Sequence, residues 1–289
     1  MKKNRTRDSG HSKNSWKSIS SISASICNIL NITMRRYALR KFLVALVAFS
    51  AVLLASTDAS ALVSAEVRYW LTEIDADAKV TEAGIVGTDI NLVDDLGVDD
   101  QENFWDGRIA LDFGRHKIRY GYMPLDWSGS KTITEEITFG GETFSASALV
   151  DSSLDIDYHR LGYQYDFIEV KDSTVGLIIE AKYFSIDANL NAAALAIDET
   201  ESIEAPLPTV GLGAELSLPA LFSVEGEITG VTLGSDRYFI DGEAAVNFKP
   251  IPFVAVAAGY RYLKLHIEEE DDEGELMLKG PFVMVRGRF

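Results

Sequence analysis

The chain has 289 residues, with 27 Lys and Arg against 44 Asp and Glu and a formal charge of −17. So acidic a chain lacks the basic footprint that nucleic acid requires. Its single cysteine, Cys27, leaves neither a disulfide framework nor a thiolate metal site in the rest of the sequence.

Residues 1–33 are rich in Ser, Lys and Asn, show no apolar period, and read as a disordered or spurious extension. Residues 34–61 read as a secretory signal peptide. Arg35, Arg36, Arg40 and Lys41 form a basic stub, and Phe42 to Ala55 form an apolar run. That run of about 14 residues is short of the roughly 20 that span a bilayer as a helix. Ala59-Ser60-Ala61 supplies small residues for cleavage after Ala61, with Ala65 as the alternative. The segment to residue 61 holds ten basic and two acidic residues, which leaves 17 against 42 and a charge of −25. About 228 residues remain, enough for one all-β domain.

From residue 62 onward the recurring pattern has period two, the mark of strands with two different faces. Ala65, Val67, Tyr69 and Leu71 alternate with Glu66, Arg68 and Thr72. Trp105, Ile109, Leu111 and Phe113 alternate with Asp106, Arg108 and Asp112; Ile118, Tyr120 and Tyr122 oppose Arg119 and Gly121. Leu161, Tyr163, Tyr165 and Phe167 oppose Arg160, Gln164 and Asp166. Val210, Leu212, Ala214 and Leu216 oppose Thr209, Gly211, Gly213 and Glu215. Phe222, Val224 and Ile228 alternate with Ser223, Glu225, Glu227 and Thr229. Tyr238, Ile240, Gly242, Ala244, Val246 and Phe248 share one face; Asp241, Glu243 and Asn247 share the other. Segments 174–188 and 253–267 lose phase midway, which reads as a bulge in each.

Short connections fall near 114–116, 168–173, 218–220 and 249–252. Longer, more polar ones fall near 76–103, 128–152, 190–205, 232–237 and 268–273. Their strict alternation predicts an all-β fold over residues 62–289. It is a closed antiparallel transmembrane barrel of ten strands, with short periplasmic turns and acidic external loops. Eight strands is the alternative. Phe113, Phe167, Phe222, Phe248 and Phe289 fall at the short-turn ends on the apolar face, where a periplasmic aromatic girdle belongs. A soluble, lipocalin-like barrel would turn its apolar face inward and has no need of aromatics at one rim.

The polar face carries Glu66, Arg68, Asp106, Arg108, Arg119, Arg160, Asp166, Glu180, Lys182, Glu215, Glu225, Glu227, Glu243, Arg261, Arg286 and Arg288. Confined in so narrow a barrel, these charges must pair. They form a salt-bridged plug or, alternatively, line a narrow polar pore. No cofactor is expected. The acidic loops offer oxygen ligands for divalent cations at Asp94, Asp95, Asp99, Asp100, Glu268, Glu269, Glu270, Asp271 and Asp272. They lack EF-hand spacing, and solvated loop charge is the plainer account.

Asp155, Asp157 and His159, with Asp75 and Asp77, loosely resemble the acid and Asp-x-His elements of the omptin proteases, which are also ten-stranded. No local His-x-Ser suggests a lipid A deacylase, and His116 and His266 read as polar rim residues. The signal peptide, the alternating strands and the closing GPFVMVRGRF resemble small bacterial outer-membrane β-barrel proteins. GTDINLVDDLGVDDQENFWDGRIAL resembles the opening hairpin of porin-like barrels. The resemblance implies the cell outer membrane as location. It implies outer-membrane lipid and lipopolysaccharide as partners, and assembly machinery that reads the last strand. The expected role is structural or surface-interacting rather than enzymatic, with a narrow channel as the alternative and an omptin-like protease as the second.

Overall fold

A computed structural model describes residues 62–81, 85–232, 234, 237–269 and 272–289. The proposed extension and signal peptide lie outside the described residues. In chain order the strands are β1 (Leu62–Lys79), β2 (Ile90–Asn91), β3 (Gln101–Phe113), β4 (His116–Thr132), β5 (Ile137–Phe139), β6 (Glu142–Phe144), β7 (Leu149–Val170), β8 (Ser173–Ala192), β9 (Ile197–Ser217), β10 (Phe222–Thr232), β11 (Arg237–Ile251), β12 (Val254–Glu269) and β13 (Asp272–Arg288). Ten of them form one antiparallel sheet, each beside its successor. The pairing of β13 with β1, from Ser64↔Arg288 to Lys79↔Glu273, closes it into a barrel. The backbone of Phe289 completes the seam by exchanging hydrogen bonds with Val63.

The tight turns 114–115, 171–172, 218–221 and 252–253 lie at one end, with Leu62 and Phe289. At the other end the strands run further than the sequence reading allows. The stretch 190–205, read as a long loop, is a hairpin in which β8 and β9 pair as far as Ala192↔Ile197 around one 3-10 turn.

Neither proposed bulge is present within 174–188 or 253–267. β8 and β9 stay in register from Thr174↔Glu215 onward, and β12 pairs with β13 without a shift. The register shifts sit instead at Asp166/Ile168 on β7 and Phe248/Ile251 on β11, near the tight turns. The apparent loss of phase has another cause, which is an exchange of polarity between the faces. On β8 the inward side chains change from Glu180 and Lys182 to Phe184 and Ile186, and the outward ones from Leu177 and Ile179 to Ser185 and Asp187. On β12 the inward sequence passes from Arg261 to Leu263 and Leu265, while Tyr260 and Tyr262 outside give way to Lys264 and His266.

Two connections fold over the far mouth. In the first, β2 pairs with Asp77 and Ala78, and the side chain of Asn91 accepts the N–H groups of Val93 and Asp94, which tightens the turn that follows. Ile90, Leu96 and Val98 are thereby buried while Asp94, Asp95, Asp99 and Asp100 stay exposed. In the second, the β5–β6 hairpin turns on Gly140 and Gly141, both at positive φ, and buries Phe139 and Phe144. Thr88 and Thr138 tie the two together: the Thr88 N–H donates to the Thr138 carbonyl, and the Thr138 N–H to the Thr88 hydroxyl.

Candidate functional site

The inward faces of the tight-turn half converge on a layer of ion pairs. Glu243 is held by two arginines at once. Both guanidinium nitrogens of Arg68 reach it at 2.7 and 3.0 Å, and both of Arg108 at 2.8 Å. Asp241 accepts from Arg261 at 3.0 Å through two nitrogens, from Lys182 at 2.6 Å and from the Tyr158 hydroxyl at 3.0 Å. Glu180 receives Arg119 at 2.7 Å and Arg160 at 2.9 Å, and both arginines also hold Glu227. Asp106 lies 3.4 Å from both Arg108 and Arg261. Arg286 bridges Glu66 at 2.8 Å and Glu225 at 2.8 Å.

This layer balances. Seven carboxylates (Glu66, Asp106, Glu180, Glu225, Glu227, Asp241, Glu243) face seven cations (Arg68, Arg108, Arg119, Arg160, Lys182, Arg261, Arg286), although the chain as a whole is acidic. Bidentate geometry and shared partners are what make such burial tolerable, because an unpaired charge here would forfeit its hydration. Nearer the tight turns, Glu215 takes Lys249 at 2.7 Å and lies 3.7 Å from Arg288. Asp166 is buried and accepts the Gln164 amide at 2.6 Å. The set named from the sequence lacks Asp241 and Lys249. Asp241 stands on the polar face of its strand, so alternation alone was enough to include it.

Aromatic rings cover the layer on its far side. Arg68 lies 4.1 Å from the ring centre of Phe282, Arg261 lies 5.0 Å from Trp70, and Lys182 lies 4.9 Å from Phe239. The cations thus meet ring faces where the interior turns apolar. The Trp70 indole donates to the Gly280 carbonyl at 3.0 Å, and a Cβ on Gly280 would run into the Leu71 carbonyl. Beyond the rings, side chains such as Leu263, Leu278, Ile156 and Leu154 line the lumen toward the folded-in connections.

The outer surface mirrors this division. Phe113, Phe167, Phe222, Phe248 and Phe289 stand at the tight-turn end, with the rings of Phe222 and Phe248 tilted against each other across strands, 5.1 Å between centres. Higher up runs a second belt: Tyr69 beside Trp105 at 4.9 Å, Tyr122 beside His159 at 4.7 Å, and Tyr238 beside His266 at 5.2 Å. Phe248 and Tyr238 lie ten residues apart on one face of β11. At about 3.4 Å per residue and a tilt near 40°, they stand roughly 26 Å apart in height, the thickness of an outer-membrane apolar band. Between the belts the outward side chains are apolar, among them Val67, Ile109, Leu161, Ile179, Leu212, Ile228 and Val283. Above the upper belt acids predominate, among them Glu73, Asp75, Asp77, Asp126, Asp155, Asp157, Asp187 and Glu204, with Lys264 and Lys279 between them.

The same architecture is found in the solved outer-membrane protease OmpT of Escherichia coli, with a TM-score of 0.52 and 9% identity over 81% of this chain and 100% of that one. The chain has the fold of the bacterial outer-membrane β-barrels. At that identity the likeness concerns the fold alone. The attachment invasion locus protein Ail of Yersinia pestis matches more loosely, with a TM-score of 0.37 and 12% identity over 80% of this chain and 99% of that one. Neisserial surface protein A gives a TM-score of 0.30 and 13% identity over 79% and 97%. No protein-family model matches the chain, and no curated protein does.

The omptin-like residues of this barrel do not gather in its lumen. Asp155, Asp157 and His159 project outward from β7, where the Tyr120 hydroxyl meets His159 at 2.9 Å and the Tyr122 hydroxyl donates to Asp157 at 2.6 Å. Asp75 and Asp77 also project outward, from β1, with β3 and β4 lying between the two strands. Asp77 accepts the Asn91 amide at 2.9 Å. His116 contacts the Tyr163 hydroxyl at 2.6 Å near a tight turn, and His266 lies 3.2 Å from Glu275. Among the described residues no three acidic or histidine side chains gather as a metal site. The Asp95 carboxylate accepts the Asn91 N–H at 2.8 Å, and the Asp94 carbonyl accepts from Lys131. Asp272 accepts the Thr81 N–H at 2.6 Å and Glu268 stands exposed at the end of β12. Glu270, Asp271 and the Glu269 side chain lie outside the described residues.

Proposed function

We propose that this barrel is a non-conducting, non-enzymatic outer-membrane protein whose role is structural or surface-interacting. The observation that carries the reading is the doubly filled lumen. Ion pairs drawn from nine of the ten strands close it at one level, and aromatic and aliphatic side chains close it again above. An ion crossing such a stack would have to break bidentate pairs and then enter an apolar layer. The outward direction of Asp155, Asp157 and His159 supports the non-enzymatic part, since a general base must face the bond it serves.

Export through residues 34–61 and assembly through the β13 seam belong to the same proposal. So does contact with lipopolysaccharide. The acidic wall above the upper belt would meet anionic lipid phosphates, so divalent cations are the natural bridge between them.

Single-channel recording in a planar bilayer tests the reading. The expected result is a silent barrel that inserts without stepwise current. Steps whose ion selectivity changes in Glu243→Gln would sink it and install the narrow-channel alternative.

A further inference from the structure

Beneath the folded-in connections lies a cavity of about 180 Å³, on the far side of the ion-paired layer. Its wall is built from two sources. Ile156, Ile186 and Ala188 come from the barrel, and Ile90, Leu96 and Phe139 come from the segments folded across the mouth. The change of polarity along β8 and β12 produces it. Above the upper belt the barrel stands in water, its outer face turns acidic, and its inner face is left to aliphatic residues, as in a soluble ligand-holding barrel.

We propose that this cavity is a binding site for one small neutral hydrocarbon, of benzene's size or somewhat larger. Two observations fix that class. The first is volume and lining, since an apolar protein cavity on the order of 150 Å³ lined by Leu, Ile and Phe accepts benzene. The second is charge. Of the ionisable residues that line it, Asp77 and Glu275 turn their side chains to the outer surface and Glu201 remains at its edge, while no Lys or Arg among the described residues lines it. The neighbouring Lys264 is already held by Glu275 at 2.7 Å. A carboxylate-bearing analogue of the same hydrocarbon would meet like charge at the rim and lose its hydration inside, with no cation to compensate either. The site stands apart from the charged layer, so it does not depend on whether that layer conducts.

The test is methyl NMR of the protein extracted from outer membranes into lipid nanodiscs, labelled at the isoleucine δ1 carbons and titrated with benzene. Lipid-facing Ile109, Ile179, Ile228 and Ile240 serve as internal reporters of simple partitioning. The expected result is that Ile90, Ile156 and Ile186 shift and saturate at one equivalent while the lipid-facing methyls drift linearly. Ala188→Phe fills the cavity and abolishes the saturation, and Ala76→Leu, a smaller change on a neighbouring wall, weakens it at least tenfold. Benzoate leaves the three cavity methyls unmoved. Linear drift at every isoleucine would show that benzene only dissolves in the bilayer and would overturn the site. Saturation by benzoate as readily as by benzene would overturn the assigned ligand class.

Discussion

Glu243 shows what a single side chain does in this interior. Its two oxygens receive four guanidinium nitrogens from Arg68 and Arg108, so the carboxylate is the hinge between two cations that would otherwise repel. Glu243→Leu leaves both arginines buried beside one another. Removing one partner of a buried ion pair typically costs about 3–5 kcal/mol. The urea midpoint of the refolded variant, followed by the mobility difference between folded and unfolded bands on cold gels, should fall accordingly. An unchanged midpoint would mean that water reaches the two guanidinium groups. Alternation put these residues on the polar face, because period two tells inside from outside, although Asp241 was left out of the named set. It did not identify the pairs. Arg68 and Glu243 are 175 positions apart, and only closure and tilt of the sheet decide which inward side chains meet. The aromatic cover escaped notice for the same reason, since Trp70, Phe239 and Phe282 read in isolation as ordinary apolar residues.

A single strand passes through two surroundings, and β8 shows it most clearly. Ile179 and Asp187 project from the same face eight residues apart, the first into lipid and the second into water. The sequence reading took the resulting break in pattern for bulges because it assumed that each face keeps one polarity along its length. It therefore ended several strands too early and assigned their upper parts to loops. The pairings Asp155↔Asp187 and Asp126↔Asp155 place carboxylates side by side on that upper wall, an arrangement stable only where water and ions screen them. Ile179→Arg should cost about 2–4 kcal/mol of folding free energy in lipid vesicles, the penalty for a cation near the bilayer midplane. Asp187→Arg, same strand and same face, should cost little or stabilise by relieving the row of acids. Equal penalties at both positions would place the membrane boundary elsewhere.

Across the whole molecule the two aromatic belts define the height of the membrane-embedded part, and three tryptophans sample it. Trp105 projects outward in the upper belt, whereas Trp70 and Trp127 are buried inside. In single-tryptophan variants, brominated lipids should quench Trp105 strongly and leave Trp70 and Trp127 nearly unaffected. Quenching of Trp127 would contradict a water-exposed upper barrel. Strand number, closure and direction were readable from the spacing of turn-forming and polar segments, even though the β8–β9 connection, read as a long loop, is a tight hairpin. The folded-over mouth was not. The acidic residues of 89–102 dominate that segment's composition, and nothing local marks Ile90, Leu96 and Val98 as buried beneath them.

The ion-paired layer also bears on how the chain reaches this state. Its bonds tie β1 to β11 and β13, and β3 to β10 and β11, so few of them link strands that neighbour each other in sequence. A sheet of the first five barrel strands would hold three of the seven carboxylates (Glu66, Asp106, Glu180) against five of the seven cations, and the last hairpin brings the final counter-charge, Arg286, to Glu66 and Glu225. Complete pairing is therefore reached only when the ring closes. The network works as a tally of finished strands, favouring the closed ring over every shorter intermediate.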